Sequence, residues 1–170
     1  MSKQITASNA LEAHMKALES EDGMLRQSAR EGLIALGGAA VTPLVLALGN
    51  AKEKQVRWEA AKALGAMGEP RAIPALVLAL EDSDSDVIWL AAEALSAFGK
   101  EAWPALLKAL VGEGTESVIL RKGVHHVFAS QPESRGDGML ARLQIALEAG
   151  ALPETAPIAA LELMKQLHVH

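Results

Sequence analysis

The 170 residues contain no cysteine and no tyrosine, only three tryptophans and two phenylalanines, and a formal charge of −5. Without cysteine there is no disulfide framework, no thiolate metal site and no thiol nucleophile. Half of the residues are hydrophobic, and with so few rings the core must be assembled from Ala, Leu, Val, Ile and Met. Ala and Leu are strong helix formers and small side chains let helices come close, so the composition points to an all-α fold. The acidic balance argues against nucleic acid as the main partner, since a phosphate backbone calls for a broad basic face. No stretch approaches 18 uncharged apolar residues, and "MSKQITASNALEAH" lacks the apolar run of a signal peptide. The expectation is one soluble, cytoplasmic domain spanning residues 1–170, with no membrane anchor.

What the chain does have is a repeat. "VRWEAAKALGAMGEPRAIPALVLAL" (Val56 to Leu80) is followed by "VIWLAAEALSAFGKEAWPALLKAL" (Val87 to Leu110). A shift of 31 pairs Val56 with Val87, Trp58 with Trp89, Leu64 with Leu95 and Gly68 with Gly99. Going backwards, "LRQSAREGLIALGG" places Leu25, Arg26, Ala29, Leu33 and Gly37 in the same frame, with Pro43 one period before Pro74. Going forwards, "VILRKGVHHVFAS" starts in register at Val118 and then degrades. Repetition at this period is the mark of a solenoid, in which no unit can bury its apolar face without a neighbour.

Each unit reads as two helices. Val56, Ala60, Leu64 and Met67 recur at helical spacing, Gly68 suits a left-handed helix end, and Pro74 opens a second run carrying Ile73, Leu76, Val77 and Leu80. "EDSDSD" stops that helix and offers caps for the next. Residues 1–22 read as an N-terminal cap helix, with Leu11, Met15 and Leu18 on one side and Ser8 or Asn9 as its cap. Residues 23–130 hold the repeats. Residues 131–170 read as a closing helical pair after the break "SQPESRGDG".

The pattern V-R-x-x-A-A-x-A-L-G-x-x-G followed by a Pro-led A-L-x-x-A-L resembles the short HEAT-like repeat of phycobilisome lyases and bacterial scaffold proteins. Val56, Arg57, Ala60, Ala61, Ala63, Leu64, Gly65 and Gly68 carry it, then Pro74, Ala75, Leu76, Ala79 and Leu80; the next unit departs at Ile88 and Ser96. The resemblance implies a right-handed α-α superhelix of about four to five helical hairpins, with the V-R helices on its concave side. It speaks for fold more than for function.

At 100° per residue, Trp58 falls about 200° from Val56 and Lys62 about 240°, nearly opposite the core direction. Trp89 and Glu93 hold the same places one unit later. Outward indoles in adjacent repeats are candidates for a binding surface. The candidate partner-binding set is Trp58, Glu59, Lys62, Trp89, Glu93, Arg121 and His125, with Arg26 and Lys122 beside it and Gln27 and Leu120 extending the stripe. Trp103 aligns with Ile73 and is expected in the core.

No catalytic chemistry, metal or cofactor emerges. Asp82, Asp84, Asp86 and Glu93 fall at positions 1, 3, 5 and 12 of a calcium-loop pattern, but Val87 stands where that loop needs Gly. His125 and His126 point about 100° apart on a helix and cannot chelate together. The leading expectation is a non-enzymatic scaffold holding a protein or peptide in its groove. The resemblance alone implies an alternative, a phycobilin chromophore lyase-like subunit. DNA binding through Arg26, Arg57, Arg121 and Lys122 is opposed by the acidic balance.

Overall fold

The computed structural model describes residues 2–112, 117–134, 138–148 and 154–169. Among them the apolar periodicity folds into α1 (Ser2–Ala17), α2 (Gly23–Ala35), α3 (Gly38–Asn50), α4 (Lys54–Met67) and α5 (Ile73–Leu78). After these come α6 (Ser85–Phe98), α7 (Trp103–Val111), α8 (Val118–Ala129), α9 (Met139–Leu147) and α10 (Thr155–Leu167). No strand occurs among the described residues. The fold is an all-α solenoid of helical hairpins. The first helices α2, α4, α6 and α8 lie each against the next, with α9 on α8; α1, α3, α5, α7 and α10 make a second row. The core lies between the rows, where Leu33, Leu44, Leu64, Leu76, Leu80, Leu95, Leu106, Leu110 and Phe128 are fully buried.

The turn between the two helices of a unit is set by glycine. Gly37, Gly68 and Gly99 have φ of 58°, 61° and 55°, a left-handed backbone that other residues adopt only at a cost. The acidic punctuation works as caps: Asp22 accepts from the Met24 N–H at 2.8 Å, and Asp84 from Asp86 and Val87 at 3.0 and 3.4 Å. Neither Ser8 nor Asn9 caps α1, which already starts at Ser2; both are exposed, where their side chains reach water and let the helix run through. Pro74 and Pro104 occupy the first turn of α5 and α7, whereas Pro43 lies inside α3.

The fourth unit departs from its expected frame. Helices α2, α4 and α6 start 31 residues apart, but α8 starts 33 after α6. Ser117 caps α8 by accepting from the Leu120 N–H at 3.2 Å. Leu120, Val124, Val127 and Phe128 are therefore the buried counterparts of Val87, Ala91, Ala94 and Leu95, and Val118 is exposed. Pro132 stands where Gly99 would recur, opening a 3₁₀ turn (Pro132–Ser134). Among the described residues no second helix follows that turn before α9. Helix α10 packs instead on α7 and α9. Of the break "SQPESRGDG", residues 135–137 lie outside the described residues.

Two features tie the repeats together. The first is close approach in the first row: a Cβ built on Gly65 would lie 2.9 Å from the Ala94 Cβ. The second is Arg57. Its guanidinium donates to both Asp82 oxygens, at 2.7 and 2.9 Å, and to the Ala51 and Lys52 carbonyls. Arg26 repeats the carbonyl half of this arrangement at Ser20 and Glu21. Each arginine thus fastens the chain that enters its own helix, and Arg57 also holds the turn entering the next.

Burial works to raise the Asp82 pKa. Hydrogen bonds from Arg57 and the Asp84 N–H, with the guanidinium charge, outweigh it, and the carboxyl sits below the ordinary aspartate range. Arg57 is held more firmly protonated, chiefly by the same hydrogen bond. As pH falls, the unfolded chain takes up a proton before folded Asp82 does, so the pair's contribution is full at neutral pH and is lost as pH drops through the folded value. Asp82→Asn should lower stability at pH 7 in urea denaturation, with the gap from wild type narrowing below about pH 4. Gly65→Ala should destabilise by about 1–3 kcal/mol, because the Ala94 side chain leaves no room. Gly49→Ala, which meets nothing within 4 Å inside α3, should stabilise by a few tenths to about 1 kcal/mol in the same assay.

Candidate partner-binding face

Counting from each helix start places equivalent side chains side by side. The fifth residues of α2, α4, α6 and α8 are Gln27, Trp58, Trp89 and Lys122; the ninth are Glu31, Lys62, Glu93 and His126. Trp89 is 56% exposed. Trp58 is half-buried at the edge of the core, with the Lys62 ammonium 4.5 Å from its ring centroid and the Arg30 guanidinium at 5.9 Å. Both contacts are within cation–π range. Trp103 is only 4% exposed and meets the Phe128 ring edge-on, with centroids 5.7 Å apart.

The sixth residue of one first helix and the eighth of its predecessor fill the seam between them, and each seam is filled differently. Between α2 and α4, Glu59 is 4% exposed and paired with Arg30 and, at 3.5 Å, with Arg26. Glu59 was expected on the polar rim. It is instead a buried carboxylate held by two arginines, because Arg30 reaches it from the preceding helix. Between α4 and α6 the pair is Ala61, buried, and Leu90, half-buried on the core. Between α6 and α8 it is Ala92 and Gly123, with the Leu80 side chain packed close over Gly123 from the core side, and a cleft of about 290 Å³ beside them is walled by Ile88, Trp89, Ala92 and Ile119.

Lys122 and His126 also line that cleft, and His126 Nε2 lies 2.9 Å from Glu93 Oε1. The longer step into α8 thus puts Lys122, not Leu120, level with Trp89, and His126 level with Glu93. Leu120 does not extend the stripe; it is 2% exposed. Arg121 and His125 are half-buried and stand level with Ile88 and Ala92. Ile119, 51% exposed, was not anticipated. The cue was present: Ser117 followed by Leu120, Val124 and Val127 is a cap before a helical apolar face.

A second cleft, of about 230 Å³, lies beside Trp58 and is lined by Arg26, Lys54, Gln55, Glu59, Asp84 and Asp86. Its charges are mostly matched: Lys54 Nζ is 3.2 Å from Asp84 Oδ2. That hydrogen bond, with the Asp86 and Val87 N–H groups, holds the Asp84 carboxyl below its ordinary range. Asp82 and Asp84 of the acidic run are therefore engaged in capping and ion pairs, and Arg26 and Arg57 are turned toward backbone carbonyls and carboxylates rather than outward. No group of three or more His, Asp or Glu residues among the described residues is arranged to hold a metal ion. No helix among them is long and apolar enough to cross a membrane.

Residues 41–124 match the family model of HEAT repeats, a span running from α3 into α8. This is a HEAT-like repeat protein. No curated protein matches the chain. HEAT repeats commonly serve as protein-interaction scaffolds, because stacked helices present a long continuous surface.

The exposure order gives a direct optical test. In variants retaining one tryptophan, Trp89 should emit furthest to the red and be quenched most by acrylamide, Trp103 furthest to the blue, and Trp58 between them. Equal quenching of Trp89 and Trp103 would contradict the geometry.

Proposed function

We propose that the chain is a non-catalytic scaffold that holds a segment of another protein across α4, α6 and α8, with Trp58 and Trp89 as its anchors. The observation that carries this reading is the exposure of Trp89 beside an apolar cleft, with a second indole at the same helix position one unit away. A tryptophan offers a large contact area and loses little rotamer freedom on binding, so it concentrates affinity. Lys62, Glu93, Arg121 and His125 would flank the anchors, and Glu59 acts behind them by holding α2 to α4. A soluble protein has little other reason to leave an indole and two isoleucines around a groove.

Replacing both Trp58 and Trp89 with Ala should leave the far-ultraviolet helical signal unchanged, because neither ring is in the fully buried core. Partners cross-linked to the wild-type chain in lysate should disappear from the variant, with an affinity loss of about 30-fold or more for each anchor. Undiminished capture by the double variant would overturn the assignment.

A further inference from the structure

The α6–α8 cleft has a chemistry that narrows its occupant. Its walls are aliphatic and aromatic, and Trp89 and Ile119 are both more than half exposed. The nearest carboxylate on the ninth-residue line, Glu93, is already engaged by His126 at 2.9 Å. Lys122, on the cleft wall, has no carboxylate within ion-pair distance among the described residues. The Lys122 ammonium at this apolar opening is therefore free to meet a carboxylate from outside the chain. The Trp58 cleft differs, since its Lys54 and Arg26 are both paired.

Resting on the scaffold reading above, we propose that the occupant of the Trp89 cleft is a partner segment with an aliphatic or aromatic side chain and an acidic residue close beside it. The apolar side chain fills the cleft between Ile88, Trp89, Ala92 and Ile119, covering the indole and Ile119. The acidic residue meets the Lys122 ammonium at the rim. Opposite charge at such a rim selects partners and guides their approach, while the apolar anchor holds them. The volume, about 290 Å³, is at the small end of ligand sites and fits one large side chain rather than a folded surface.

The test uses the full chain, immobilised, and a displayed library of random 12-residue peptides, followed by anisotropy titrations of synthetic versions of the enriched sequences. Enriched peptides should place Asp or Glu within about four positions of Leu, Ile, Phe or Trp. Trp89→Ala should weaken them about 30-fold or more. Lys122→Glu should weaken them by up to about 10-fold and improve otherwise identical peptides carrying Lys in place of the acid. Both substitutions are at exposed positions, and unchanged circular dichroism would verify that each variant is folded. Peptides that need Trp89 but are neutral or basic, or that ignore Lys122→Glu, would overturn the acidic requirement and leave the scaffold reading standing. An absence of enriched peptides, or binding indifferent to both tryptophans, would overturn both. Self-association that Trp89→Ala abolishes would assign the cleft to a second copy of the chain and overturn the proposal.

Discussion

The closest contact in the first-helix row, between α4 and α6, is lined largely by side chains of one carbon or none. Ala60, Ala61 and Ala63 on α4 meet a row on α6 that holds Ala91, Ala92 and Ala94, all buried, and Gly65 leaves room for the Ala94 methyl. Backbones this close leave no space for a ring between them, so an indole on the fifth residue must sit at the margin or in water. The same closeness brings polar residues of successive helices within bonding reach, as in the Glu59 carboxylate with Arg30 and the Glu93 carboxylate with His126. Surface chemistry here is a consequence of a thin interior.

The seams differ from one another. One holds a buried carboxylate between two arginines, one holds leucine, and one is lined by Ala92 and Gly123 beside an apolar cleft. The ionic seam is not a gain in stability over a well-packed apolar one, since burying charge is costly. It does make α2 and α4 specific for each other. The open seam is where apolar surface is left unburied, and a repeat scaffold can place such an opening at any unit without changing its backbone.

The repeating parts of this arrangement were legible because they depend on local rules. Gly37, Gly68 and Gly99 mark the turns, Asp84 marks a helix start, and the helical angle of Trp89 separates it from the core, while Trp58 at the same angle packs half-buried against it. What was not legible depends on partners far away in sequence or on a change of step. Nothing near Glu59 shows that Arg30, 29 residues earlier, will bury it. Val118 imitates Val87, and so concealed the two-residue lengthening before α8 that shifts Lys122 and His126 into line. The cleft itself was not legible, because its walls come from two helices whose relative step the repeat frame misplaces.

The docking of α10 on α7 sets this stack apart from a purely nearest-neighbour array. Every other helix finds its support in the units just before or after it, while the apolar flank of α7 waits for a segment more than 40 residues downstream. Bringing such distant pieces together carries an entropic cost that adjacent hairpins avoid. During synthesis, α2 through α6 can consolidate as they emerge, but the α7 flank stays uncovered until α10 has also left the ribosome. Helix α10 thus acts as a clasp on units made well before it.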